Sequence, residues 1–222
     1  LLPAVSAAGH VARSVATASH AARERAILAN MLARKDIPEK PMTVDEFFRW
    51  AAGRPREDGR FELHGGRVVA MAPERMAHVI VKFSVAMALR NAARAAGVPC
   101  RAFTEGLGVR ISETRFYIPD ALLVCGASPV DLGQLEIEPV AVFEVASPST
   151  EDYDETSKLI DYLNHPSILH VVFVSPASRR TVHHRRTAPG RADTRVLAAS
   201  DTLALDPPGL EFPLASFFDD LE

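Results

Sequence analysis

The chain is 222 residues long, 47% hydrophobic and 24% charged, proportions ordinary for a soluble globular protein of one domain with an appendage. A formal net charge of −3 excludes a general polycation, so any contact with nucleic acid would have to come from a local basic patch. No run approaches the roughly 18 apolar residues of a membrane helix, and the only cysteines, Cys100 and Cys125, show neither metal-ligand spacing nor a disulfide framework and suit a reducing cytoplasm.

Residues 1–41 are rich in Ala, Ser, His and Arg and poor in acids, and read as a helical or flexible extension; an Arg-bearing, acid-poor leader also has the look of a transit peptide. The domain is expected over 42–222. It opens at MTVDEFFRW, where Thr43 and Glu46 have capping-box spacing and predict a short helix from about Val44 to Ala52. GRFELHGGRVVAM predicts a hairpin turned by Gly65-Gly66. From Glu74 to Ala96 there is no Pro or Gly. Met76, Val79, Ile80, Phe83, Ala86, Met87 and Ala93 recur there at helical spacing, and Gly97 closes the segment.

CRAFTEGLGVRI and RFYIPDALLV predict strands, and a further apolar strand spans 139–146. A helix over about 152–164 follows, with Ser149 or Thr150 as its cap. Strands ILHVVFVS and RTVHHRR come next, then strands at 195–199 and near 203, and a small C-terminal helix. The order predicts a mixed α/β fold with a helix on at least one face of a central sheet.

Two carboxylates stand in apolar strands: Asp120, just after Pro119, and Glu144 in AVFEV. Burying an ionised carboxylate without a partner costs several kcal/mol or more. If the two strands are neighbours, a divalent cation between the acids would relieve their repulsion, and Mg²⁺ commonly takes one or two carboxylates plus waters and phosphates. On the helix after Glu144, Asp154, Lys158, Asp161 and Tyr162 share a stripe that could lean back over the strand end. Lys158 would then offset the acids. Against this stand the plainer alternatives: strand acids on a solvated face, and Lys158 paired with Asp154 at the surface.

RFELHGGRVVAMAPERMAH, YIPDALLV and FEVASPSTEDYDETSKLIDYL followed by HVVFVSP resemble the Uma2 family (formerly DUF820) of the PD-(D/E)XK nuclease superfamily, over about Met42 to Arg186. The resemblance implies a restriction-endonuclease-like core, a central mixed sheet flanked by helices, and hydrolysis of phosphodiesters dependent on Mg²⁺ or Mn²⁺. It places the motif Asp on Asp120 and the motif Glu on Glu144, the two metal ligands. The superfamily's lysine, two positions after the Glu, would fall on Ala146, and the family pattern moves it to Lys158. Glu62 and His78 also match the pattern. For Glu62 a further ligand or metal-water partner stands against a solvent-facing strand Glu, and for His78 a second-shell or phosphate contact stands against a structural histidine.

His183, His184 and the arginines of 179–186 form a candidate contact to a DNA backbone. Expected partners are nucleic acid, DNA first, and a second copy of the chain, in the cytoplasm and without a membrane. The competing reading is a catalytically silent nucleic-acid-binding or homodimeric module that keeps the nuclease fold.

Overall fold

Thr43 sets the start of the first helix. Its hydroxyl accepts the Glu46 N–H at 3.3 Å while Glu46 accepts the Thr43 N–H at 2.8 Å, so the two ends of the capping box satisfy each other. The computed structural model describes residues 37–126, 136–146 and 154–221. The account that follows concerns the compact unit Lys40–Glu222. The expected leader helix and the caps at Ser149 and Thr150 lie outside the described residues.

Helix α1 (Val44–Ala52) leads to the hairpin β1 (Phe61–His64) and β2 (Arg67–Ala70). Gly65 and Gly66 turn it with φ of +57° and +83°, a conformation that costs glycine no steric penalty. Helix α2 (Met76–Ala96) ends on Gly97 at φ +64°. Strands β3 (Cys100–Thr104), β4 (Val109–Ser112), β5 (Arg115–Tyr117), β6 (Ala121–Cys125) and β7 (Ala141–Val145) follow. Helix α3 (Asp154–Asn164) leads to β8 (His170–Ser175), β9 (Arg180–Ala188), β10 (Arg191–Ala198) and the hairpin β11 (Thr202–Leu205) and β12 (Leu210–Pro213). The expected C-terminal helix is a 3₁₀ turn, Leu214–Phe217.

The strands form two larger sheets. A four-stranded antiparallel sheet has the order β2-β1-β5-β4; a six-stranded mixed sheet has the order β10-β9-β8-β7-β6-β3, parallel only between β7 and β8. On one face of the large sheet, Val81, Val85, Leu89 and Ala93 of α2 pack with Phe143, Leu205, Phe212 and Phe217. On the other, Tyr162 and Leu163 of α3 pack with Val142, Val171 and Phe173. A mixed sheet flanked by helices is the fold expected. Among the described residues no helix is long and apolar enough to cross a membrane.

Three expectations are corrected. CRAFTEGLGVRI is two strands in different sheets, Cys100–Thr104 in the large one and Val109–Ser112 in the small one. RFYIPDALLV is not one strand: the chain leaves the small sheet after Tyr117 and enters the large one at Ala121. Pro119 has no N–H to give a ladder, and the Ile118 N–H goes to the Glu62 side chain instead, at 2.8 Å. Nor are the cysteines separate thiols. The β3–β6 register sets Cys100 opposite Cys125, and a disulfide joins them.

Gly108 precedes β4, and a Cβ there would overlap the ring of Phe116, which is buried against Phe47 and Phe48. Gly108→Ala should therefore cost about 1–3 kcal/mol in urea unfolding, the usual range for overpacking; an unchanged midpoint would show that the ring yields freely.

A histidine pair crosses from β8 to β9. His170 Nε2–H donates to the Pro207 carbonyl at 2.8 Å, which leaves Nδ1 to accept from His183 Nε2–H at 2.9 Å, both rings neutral. Burial pushes both rings below the usual imidazole range, and His170, His184, Arg195 and Arg185 help hold His183 down, to about 4. A histidine with a depressed folded pKa binds its proton in the unfolded chain first. Its stabilisation is thus present at neutral pH and lost as pH falls from about 6.5 toward 4. Between pH 7.5 and 4.5 the parent should lose about 2–3 kcal/mol more than His183→Gln in chemical denaturation. Equal losses would remove His183 from the acid response.

Candidate active site

The crossover from β5 to β6 delivers Asp120 to the end of the large sheet, 6% exposed. Its Oδ2 accepts the Val145 N–H at 2.7 Å, and its Oδ1 lies 3.0 Å from His78 Nε2 in the first turn of α2. Burial alone would favour neutral His78, but the hydrogen bond and charge of Asp120, with the charge of Glu74, raise its pKa above the ordinary imidazole value. His78 Nδ1 is buried and has no hydrogen-bond partner among the described residues.

Ala121 pairs with Phe143, so the antiparallel register brings Asp120 alongside Glu144 across β6 and β7. The acids serve different neighbours. Asp120 turns to α2, whereas Glu144 shares the α3 side of β7 with Val142. There Glu144 Oε1 accepts from Tyr162 Oη–H at 2.7 Å and from Lys158 Nζ at 3.3 Å. Burial pushes the Glu144 carboxyl up to about 7 against the pull of Lys158, with the charges of Asp120 and Glu62 adding to the rise. Tyr162, itself raised by burial and by both glutamates, remains a proton donor.

Glu62 reaches the same place from the small sheet. It is 4% exposed, and its Oε1 accepts from Lys158 Nζ at 3.0 Å and from the Ile118 N–H; its Oε2 meets His64 Nε2 at 2.8 Å. Burial opposes its ionisation, yet Lys158, His64 and the Ile118 N–H together hold it below the usual carboxylate range. Lys158, 8% exposed and 5.5 Å from the centre of the Tyr117 ring, thus bridges Glu62 and Glu144. Helix α3 does lean back over the end of β7. The solvent-facing alternatives for Glu62 and Lys158 do not describe these positions.

A fourth acid, Glu74, was not among the residues singled out from sequence. One ligand atom from each of Glu74, His78 and Asp120 lies within 4.8 Å of the others. Glu74 is also held by Lys82 and, at 2.9 Å, by Arg60. It lies just before the N-cap Arg75, outside the helix, where spacing along the chain gives no sign that it meets His78. His183, by contrast, is buried against His170. Arg185 donates to the Asp206 carbonyl and Arg186 to the Pro166 carbonyl, so much of the basic strand ties the fold together.

Residues 44–215 match the family model Uma2, described as "Putative restriction endonuclease". The chain belongs to the Uma2 family. Among curated proteins, an uncharacterized protein of Synechocystis (slr1290) is 27% identical over 176 residues, 79% of this chain and 90% of its own. Among solved structures, a crystal structure described as a putative nuclease belonging to DUF820, from Anabaena variabilis, superposes with a TM-score of 0.65 at 16% identity, covering 81% of this chain and 98% of that one. At that identity the likeness concerns the fold. The Uma2 match takes in Glu62, Glu74, His78, Asp120, Glu144 and Lys158 alike.

Proposed function

We propose that this Uma2 protein hydrolyses phosphodiester bonds in nucleic acid, DNA first, with Mg²⁺ or Mn²⁺, as a cytoplasmic homodimer. The observation that carries the catalytic part is the acid pair of buried Asp120, just before β6, and half-buried Glu144 on the adjacent β7, the latter joined to a buried lysine from the next helix. The donor set fits a hard divalent ion. It is rich in carboxylate oxygen, and Glu74 and His78 stand with Asp120 within a span that one ion could share. Asp120 would hold the ion, its second carboxylate coming either from Glu144, the motif acid on the α3 side, or from Glu74 on the α2 side. When bound, it supplies Lewis acidity to a phosphate and to an attacking water.

The side chains supply the rest. Tyr162 orients the Glu144 carboxylate, Glu62 anchors the Lys158 ammonium, and Lys158 offers its charge to a phosphate oxygen or a water in a largely dry site, where such charges act strongly. His78 fixes the rotamer of Asp120. A silent binding module draws support from one fact: Asp120, Glu144, Glu62 and Glu74 each already have a donor within the protein.

Incubating the purified chain with supercoiled plasmid and with single strands, with and without Mn²⁺, separates the two. Metal-dependent nicking lost in Asp120→Asn supports hydrolysis; tight binding without a cut under any condition supports the silent module. Light scattering reads the dimer. Titrating Mn²⁺ into Glu144→Gln and Glu74→Gln tells which acid is the second ligand.

A further inference from the structure

Helix α2 has one face in the core and, on the other side, a ridge that no described residue covers. Met76, Val79, Phe83 and Met87 are 75%, 43%, 61% and 37% exposed. At 3.6 residues per turn they fall within about 80° of one another, and Arg90 and Arg94 continue the same line, both exposed. Singly exposed apolar residues are ordinary on a protein surface; four aligned on one helix are not.

The charge on this helix decides what fits it. Met76–Ala96 contains no Asp or Glu, and its N-cap is Arg75, also exposed. If a second copy packed the ridge antiparallel across Phe83, Arg90 would face Met76 and Arg75 of the partner helix. A parallel pair would set Arg90 against Arg90. Both arrangements place like charges together at an interface, which costs affinity. An anionic partner meets no such penalty. The same helix carries His78 into the candidate site, and Phe83 lies five residues further on, about 7.5 Å along the axis.

We propose that this ridge is a binding surface for a single-stranded stretch of nucleic acid, a base stacking on Phe83 between Met76 and Met87 and phosphates held by Arg90 and Arg94. Bases offer their faces to an aromatic ring only where they are unpaired, and stacking platforms bordered by arginine are how single strands are held without reading sequence. The ridge from Met76 to Arg94 is about 27 Å long, room for several nucleotides. The inference rests on the nucleic-acid reading above but not on catalysis.

The test uses the full chain carrying Asp120→Asn, in EDTA, so that binding is read without cleavage. The probe is a fluorescein-labelled 20-nucleotide single-stranded DNA of mixed sequence, followed by anisotropy, with the matching duplex as comparison. Phe83→Ala should weaken single-strand binding about fivefold or more and duplex binding much less. Arg90→Ala with Arg94→Ala should flatten the dependence of log affinity on log salt by about 1.4, two released counterions for a single strand. These residues are exposed, so melting curves should stay near the parent's. Unchanged affinity in Phe83→Ala, or no binding by the starting protein, overturns the proposal. So does a Phe83→Glu protein that turns from dimer to monomer in light scattering, which assigns the ridge to a second copy. Plasmid cleavage by the unmodified protein is scored separately. An active enzyme whose affinity ignores Phe83 sinks only the ridge, and a binder that never cuts sinks only the hydrolase.

Discussion

Lys158→Met is expected to destabilise the fold by about 3–5 kcal/mol at pH 8, the range for removing one partner of a buried ion pair. Lys158 is the shared cation of Glu62, which is buried, and Glu144, whose side chain is 13% exposed. Without it, one carboxylate or both must take up a proton or remain charged and uncompensated. Glu144 already has its pKa raised to about 7 by burial with the lysine present; deletion raises it further and lifts Glu62 from its depressed value. An acid whose folded pKa exceeds its unfolded one destabilises most above the folded pKa, and that penalty vanishes once both states are protonated. The cost of Lys158→Met should therefore shrink as pH falls from 8 toward 4.5. Urea titrations at pH 8 and pH 5 test the point, and an equal cost at both would show that the acids do not depend on the lysine. Adding Glu62→Gln should recover part of the loss. Lys158→Arg keeps the charge for measurements of plasmid cleavage where the methionine variant unfolds.

Asp120→Asn should reduce any metal-dependent cleavage about a hundredfold or more, the scale seen when one preorganised electrostatic group is removed from a site. The fold should survive. Asparagine keeps an oxygen for the Val145 N–H, and losing a charge near Glu144 relieves the repulsion that helps raise it. The sharper readout is thermal. The parent should melt higher in Mn²⁺, by an amount set by ion concentration over its dissociation constant, while Asp120→Asn should show little shift. The same metal-induced rise in both proteins would remove Asp120 from the ligand set.

How much of this was legible in the chain depends on whether a residue's meaning is local. Asp120 and Glu144 stood out because a carboxylate in an apolar strand demands a partner, and Lys158 because helical spacing from the strand end put it within reach. Thr43, Gly65 and Gly97 announced their elements through chemistry confined to one turn. Glu74 gave no such contrast: before a helix, in APER, an acid looks solvated, and only the return of β5–β6 beneath α2 brings Asp120 to it. The crossover itself was hidden because Ile118, Asp120, Leu122 and Val124 alternate as one strand would. What breaks the strand is a side chain 56 positions away, Glu62, taking the Ile118 N–H. The Cys100–Cys125 bond was equally out of reach, since it follows from cross-strand register rather than spacing.

The seam between the two sheets makes the site a late product of folding. Glu62 belongs to the small sheet, Asp120 to the strand-to-strand passage, Glu144 to the large sheet and Lys158 to a helix, and the Glu62–Lys158 contact closes a separation of 96 residues. Long-range closures come after local ones because the chain must first give up the entropy of the loop between. Whatever reaction the cluster performs therefore waits on the complete domain.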